Sequence, residues 1–149
     1  MTVLTTELVS QVTQEIWSAM LAADSESPLL PGDLGSNEVV AQIHISGEWN
    51  GTVCLHCSSL AARHATSAMF GLPDEELTAA DVQDAVGELV NVVGGNIKGL
   101  VDGPSELSLP VVTIEGPATQ LLGHLELAQE VRFSWMAEPV VVSVWTEPA

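Results

Sequence analysis

Basic side chains are nearly missing: 3 Lys and Arg stand against 20 Asp and Glu in 149 residues, a formal charge of −17. A surface so poor in positive charge is repelled by phosphate backbones and anionic headgroups, which opposes unaided binding to nucleic acid or to an anionic membrane; the same acidity also suits simple solubility or a salty cytoplasm. A partner should be neutral, basic, or present a basic patch. Long apolar runs are missing too, none approaching the ~18 residues of a membrane span. The opening MTVLTTELVSQ lacks a basic segment followed by an apolar stretch and a small-residue cleavage site, so a cytoplasmic location is expected. No repeat, low-complexity tract or linker divides the chain, and its length suits a single domain, residues 1–149, with one core.

Cysteine is scarce, and the two that exist, Cys54 and Cys57, form CLHC. A redox pair needs a thiolate at a helix N-terminus. Here the residues sit in WNGTVCLHC, a β-branched run after an Asn-Gly turn signal that reads as a strand, where residues three apart point to opposite faces. A structural zinc site needs four ligands, and His44, His56, His64 and His124 show no finger spacing. No metal site is expected, and the thiols read as small buried hydrophobes.

What is present is a mixture of helices and strands. Leu8, Val12, Ile16 and Met20, flanked by Val9 and Trp17, mark one face of a helix over Thr6 to Leu21. Pro28, Pro31 and Gly32 mark a loop. EVVAQIHIS alternates as a strand, and GEWNG turns it into a second strand, Thr52 to Cys57, as a hairpin. Ser58 or Ser59 caps a helix that ends at Phe70 before Gly71 and Pro73. Thr78 and Asp81 form a capping-box-like start to a helix over about Ala79 to Asp102, which Gly103-Pro104 ends. SELSLPVVTIEGPA reads as loop or edge structure, HLELAQEVRFSW as a strand with an irregularity, and VVVSVW as a terminal strand. The unbroken apolar run Val140 to Val144 implies burial on both faces or at a subunit contact. Without regular βαβ alternation, the fold class is an α/β (α+β) sandwich, a largely antiparallel sheet packed against long helices.

The long helix carries two stripes. On a wheel of ~100° per residue Val82, Val86, Leu89, Val93, Ile97 and Leu100 cluster as a buried face, while Asp84, Glu88, Asn91 and Gly95 follow one another at intervals of four, three and four along the opposite side. Gly87, Gly94, Gly95 and Gly99 each disfavour helix by ~1 kcal/mol relative to Ala, together roughly 4 kcal/mol of propensity given up. Close approach by a neighbouring helix or a binding partner compensates such a loss. Gly95 lies on the polar stripe, where a side chain would crowd a partner; for Gly87, Gly94 and Gly99 helix packing is the expected reason.

DAVGELVNVVGGNIKGLV resembles the signature helix of the CheC/CheX/FliY class of chemotaxis phosphatases, in which Asp or Ser, three residues, Glu, two residues and Asn are followed by Gly; the matching positions are Asp84, Glu88, Asn91 and the pair Gly95-Asn96. SGEWNGTVCLHC, AMFGLPDEELTAADVQDAVGELVN and LSLPVV resemble the flanking hairpin, the approach to the helix and the proline-bearing segment after it. A single such helix resembles CheX rather than CheC. The resemblance implies hydrolysis of the aspartyl phosphate on a CheY-like receiver domain, with Asn91 positioning water, Glu88 pairing with the receiver's lysine, and Asp84 and Gly95 on the docking face. It implies no cofactor in this chain, the Mg²⁺ belonging to the receiver, and a homodimer. Two other readings stand beside it: a non-catalytic module that binds a phosphorylated receiver, as in the flagellar switch, and an acidic dimeric adaptor whose glycines serve only helix packing. The pairing of Glu88 with Asn91 favours catalysis, because a pure binder has no use for a water-positioning amide.

Overall fold

The computed structural model describes residues 4–21, 29–32, 38–101, 103–114 and 124–148, and local side-chain chemistry sets most of its element boundaries. Helix α1 (Thr6–Leu21) starts where Thr5 Oγ1 accepts the Leu8 N–H at 3.2 Å. Ser58 Oγ accepts the Ala61 N–H to begin α2 (Ser59–Phe70), and Gly71, at φ 66°, closes it in the left-handed conformation by donating its N–H to Ser67 O. Thr78 and Asp81 form a complete capping box at the head of α3 (Ala79–Lys98): Thr78 Oγ1 accepts from Asp81 N at 3.1 Å, and Asp81 Oδ2 accepts from Thr78 N at 3.0 Å. A single 3-10 turn, Asp74–Glu76, joins the last two helices.

Seven strands form one antiparallel sheet among the described residues: β1 (Leu29–Pro31), β2 (Val39–Gly47), β3 (Gly51–Cys57), β4 (Ser105–Leu107), β5 (Val111–Thr113), β6 (Glu126–Trp135) and β7 (Glu138–Thr146). Their order is β1-β6-β7-β3-β2-β4, with β5 also on the free edge of β2. The chain thus has the α+β architecture that the mixed pattern predicts. Alternation assigns the two faces. Ala41, Ile43, Ile45, Val53, Leu55, Val131, Phe133, Trp135, Val140, Val142 and Val144 join the core with the helices, and the intervening residues face away. Trp17 of α1 meets Trp135 edge to face at 6.1 Å, and His64 of α2 meets the same ring at 6.2 Å, so one tryptophan ties both helices to β6.

The structure corrects some expectations and sharpens others. Helix α3 stops at Lys98 rather than near Asp102, because the last turn tightens: Gly99 N–H still bonds four residues back to Gly95 O, but Leu100 N–H bonds only three back, to Ile97 O. Val101 is still buried, but beyond the helix end, and Leu100 is only half-buried. The stripe on α1 centres on Val9, Val12, Ile16 and Trp17, with Leu8 and Met20 at its margins. Leu29 to Pro31 is no loop but an edge strand paired with β6, and Pro31 is tolerated there because an edge has an unpaired side. SELSLPVVT resolves into two short edge strands. The irregularity in β6 is a register shift between Leu127 and Gln129, where one extra residue stands against β7. The run Val140 to Val144 is buried because β7 is an interior strand between β6 and β3, so no subunit contact is needed to cover it.

Candidate functional site

The sheet fixes α3 through its apolar side, with Val82, Val86, Leu89, Val90, Val93 and Ile97 all in the core. That leaves the predicted polar row outward: Asp84 and Glu88 are exposed, and Asn91 and Gly95 half-buried. Successive members are three or four residues apart, so they stand one above another along the helix. Among the described residues, Asp84, Glu88 and Asn91 make no side-chain hydrogen bond or ion pair. Elsewhere polar groups are used internally, as where Arg63 pairs with Asp74 at 3.1 Å and Arg132 with Glu130 at 2.7 Å. The row therefore presents one carboxamide and two carboxylates whose hydrogen-bonding capacity is unspent.

A cleft of about 470 Å³ runs along this row, lined by Gln83, Asp84, Gly87, Glu88 and Asn91 on one wall and by Leu109, Pro110 and Val112 on the other. The sequence pattern finds the first wall and misses the second, since only strand pairing brings the 109–112 segment beside the helix. Val112 is set there because β5 pairs with β2, Ala41 opposite Val112. A cleft of about 540 Å³ between α1 and the β1–β6 edge holds none of the predicted site residues.

The glycines divide by what lies in front of them. A Cβ on Gly94 would stand 2.5 Å from Ile43 Cγ2, so this glycine lets α3 lie close on β2. A Cβ on Gly95 would meet nothing within 4 Å, and one on Gly87 would touch Val112 and Pro110 at ordinary contact distances of 3.5 and 3.6 Å. Gly99 faces only carbonyls of its own helix. Helix packing thus accounts for Gly94, though against a strand rather than another helix, while Gly87 lines the cleft and Gly99 closes the last turn.

The remaining chemistry-bearing residues lie apart from the cleft. Cys57 joins the core while Cys54 faces the other way, as strand alternation requires, and burial pushes both thiols up to about 12, so neither is a thiolate near neutrality. His44 Nδ1 and Thr52 Oγ1 share a hydrogen bond of 3.0 Å. His56 is held below its ordinary pKa chiefly by burial; Glu130 opposes that shift and Arg132 adds to it.

Residues 39–124, more than half of the chain and including all of α3 and both walls of the cleft, match the family described as Chemotaxis phosphatase CheX. The chain belongs to the CheX family. It is accordingly a chemotaxis phosphatase, a hydrolase. The fold agrees with solved CheX structures. Chemotaxis protein CheX from Vibrio vulnificus superposes with a TM-score of 0.69 at 17% identity, covering 93% of each chain. The CheX of a CheX–CheY–BeF3–Mg²⁺ complex from Borrelia burgdorferi superposes with a TM-score of 0.73 at 16% identity, covering 95% of this chain and 97% of the other. The middle domain of FliM from H. pylori shares the fold more distantly, with a TM-score of 0.52 at 7% identity over 95% and 86% of the two chains. No curated protein matches the sequence. Among the described residues no helix is long and apolar enough to cross a membrane.

Proposed function

We propose that this CheX-family phosphatase hydrolyses the aspartyl phosphate of a CheY-like receiver domain, with Asn91 positioning the attacking water and Glu88 docking on the receiver's lysine. The observation that carries the reading is the row Asp84, Glu88, Asn91, outward on one helix and unpartnered within the described residues, along a cleft of about 470 Å³. The complex of a Borrelia burgdorferi CheX with CheY, BeF3 and Mg²⁺ supports a receiver as the partner.

In this reaction a water oxygen bonds to phosphorus as the bond from phosphorus to the aspartyl oxygen breaks. The carboxylate leaves with the electron pair, and the water's proton passes to the released phosphate or to solvent. Bound in the receiver, Mg²⁺ neutralises charge on the phosphoryl oxygens. What remains for this chain is orientation, which can supply much of a rate enhancement by holding reactants in line. The Asn91 carboxamide, with an acceptor for the water's proton and a donor for its neighbour, holds that water. Glu88, one turn earlier on the same face, sets the register by a charge-assisted bond to the lysine ammonium. Asp84 orients the docked surfaces at the near end of the row, and Gly95, with open space before it, keeps the far end low for the receiver's approach.

Decay of a phosphorylated receiver, followed with and without the protein, tests the assignment. Asn91→Ala should abolish acceleration while binding persists; Glu88→Ala should chiefly weaken binding. A wild-type protein that leaves the phosphate lifetime unchanged or lengthens it would instead be a binding module. A homodimer is part of the same proposal, and light scattering at twice the chain mass supports it while a monomer mass overturns it.

A further inference from the structure

Leu109 is the most exposed large apolar side chain among the described residues, at 87%, and Val111 follows at 54%. Single exposed apolar residues are ordinary. Leu109, however, belongs to a segment with a defined position beside the Glu88 and Asn91 row, whereas Val111, opposite Gln42, faces the other side of the sheet. Strands β4 and β5 lie on the same edge of β2, Leu107 opposite Ile45 and Val111 opposite Gln42. Between those pairs the edge takes four steps while β2 takes three, so one extra residue is accommodated and Ser108-Leu109-Pro110 arches out of the sheet. The arch is pinned. Ser108 N–H donates to His44 O, and Ser108 Oγ accepts from His44 N, both at 2.9 Å, while the Oγ donates to Leu109 O at 3.1 Å. Pro110 fixes its own backbone angle. The cleft wall formed by Leu109, Pro110 and Val112 therefore stands opposite Gly87, Glu88 and Asn91 without support from Leu109's side chain.

Charge singles out the same segment. In a chain with 20 acidic residues, positions 107–114 carry none. An aspartyl phosphate is itself an anion, so acidic residues of this chain brought close to it are repelled; an uncharged, rigid, apolar contact adds affinity without adding to that repulsion.

We propose that the Leu109-Pro110 tip of the arch is a second docking element for the receiver, an apolar shoulder that seats on an uncharged patch bordering the phosphorylated carboxylate while the α3 row engages the phosphate itself. The inference rests on the proposed receiver phosphatase and assigns to Leu109 a part of the affinity, not of the chemistry. It is tested with wild type, Leu109→Ser and Leu109→Met, against a CheY-type receiver in two states: phosphorylated, to obtain kcat and KM, and loaded with beryllofluoride and Mg²⁺, to obtain Kd. Leu109→Ser should raise KM and Kd about tenfold, the size of an ordinary interface anchor, and leave kcat within about twofold. Leu109→Met should restore wild-type values, and Tm should not move, since the side chain packs on little. KM and Kd within about twofold of wild type, a loss of kcat at constant KM, or a fall in Tm would overturn the shoulder while leaving the phosphatase reading intact. A wild-type protein that neither binds nor discharges the receiver would sink the phosphatase reading itself, and the shoulder with it.

Discussion

Alanine at two adjacent glycines, Gly94 and Gly95, should move stability in opposite directions. Both lie in α3, and each substitution relieves the helix of about 1 kcal/mol of unfavourable glycine propensity, partly by restricting the unfolded chain. For Gly95 that gain is the whole effect, because the new methyl meets nothing within 4 Å. In a domain of this size Tm should rise by about 2–4 °C. For Gly94 the methyl would stand 2.5 Å from Ile43 Cγ2, far inside ordinary contact, and Ile43 is 1% exposed with a β-branched side chain that has little room to turn. Overpacking of a buried site costs about 1–3 kcal/mol, and so close an approach belongs at the upper end, which leaves a net loss of about 2 kcal/mol and a Tm lower by about 4–8 °C. Thermal unfolding followed by circular dichroism reads both values. The same Gly95→Ala protein should discharge a phosphorylated receiver more slowly, its methyl raised into the docking face one turn beyond Asn91. Equal shifts in the two variants, or a destabilised Gly95→Ala, would refute the division between a glycine that serves packing and one that serves access.

The β6–β7 hairpin turns on Met136 and Ala137, both at positive φ, 53° and 62°, where Asn-Gly is favoured; Met136→Asn with Ala137→Gly should raise stability by about 1 kcal/mol, read from the denaturant midpoint, and no gain would mean the turn is unstrained. His56 has a lowered pKa in the fold, so below its ordinary value of 6.5 the unfolded chain binds a proton that the folded chain does not, and stability falls with pH over that window. Falling pH also relieves the repulsion of a −17 chain, which acts in the opposite sense. The difference between wild type and His56→Asn isolates the histidine: the variant should lose less stability than wild type between pH 7 and about 5, and parallel profiles would contradict the assignment.

The parts of this fold that were legible in the sequence are those decided within a few residues. Ser58, Gly71 and the Thr78–Asp81 box mark helix ends because a cap is a contact between near neighbours. The Asp84, Glu88, Asn91 row was legible because helical periodicity alone places those residues on one side. The turn at Met136-Ala137 was not, since neither residue type signals positive φ and the sheet imposes it. The reason for Gly94 lies on Ile43, about fifty positions earlier, and no local pattern contains it. The second wall of the cleft depends on which strand edge β5 joins and on the one-residue arch before it, both set by pairing across the sheet. The end of α3 departs from the local pattern for a related reason. Gly103-Pro104 is a strong local stop, but three glycines from 94 to 99 had already weakened the last turn, and the chain leaves it at Lys98.

The most direct measurement is the lifetime of the aspartyl phosphate on a CheY-type receiver at substoichiometric protein. Wild type should shorten it through repeated turnover, and Asn91→Ala should leave it at the receiver's own rate while still binding the beryllofluoride-loaded form with wild-type affinity. An Asn91→Ala protein that shortens the lifetime as well as wild type does would contradict the water-positioning role on which the account rests.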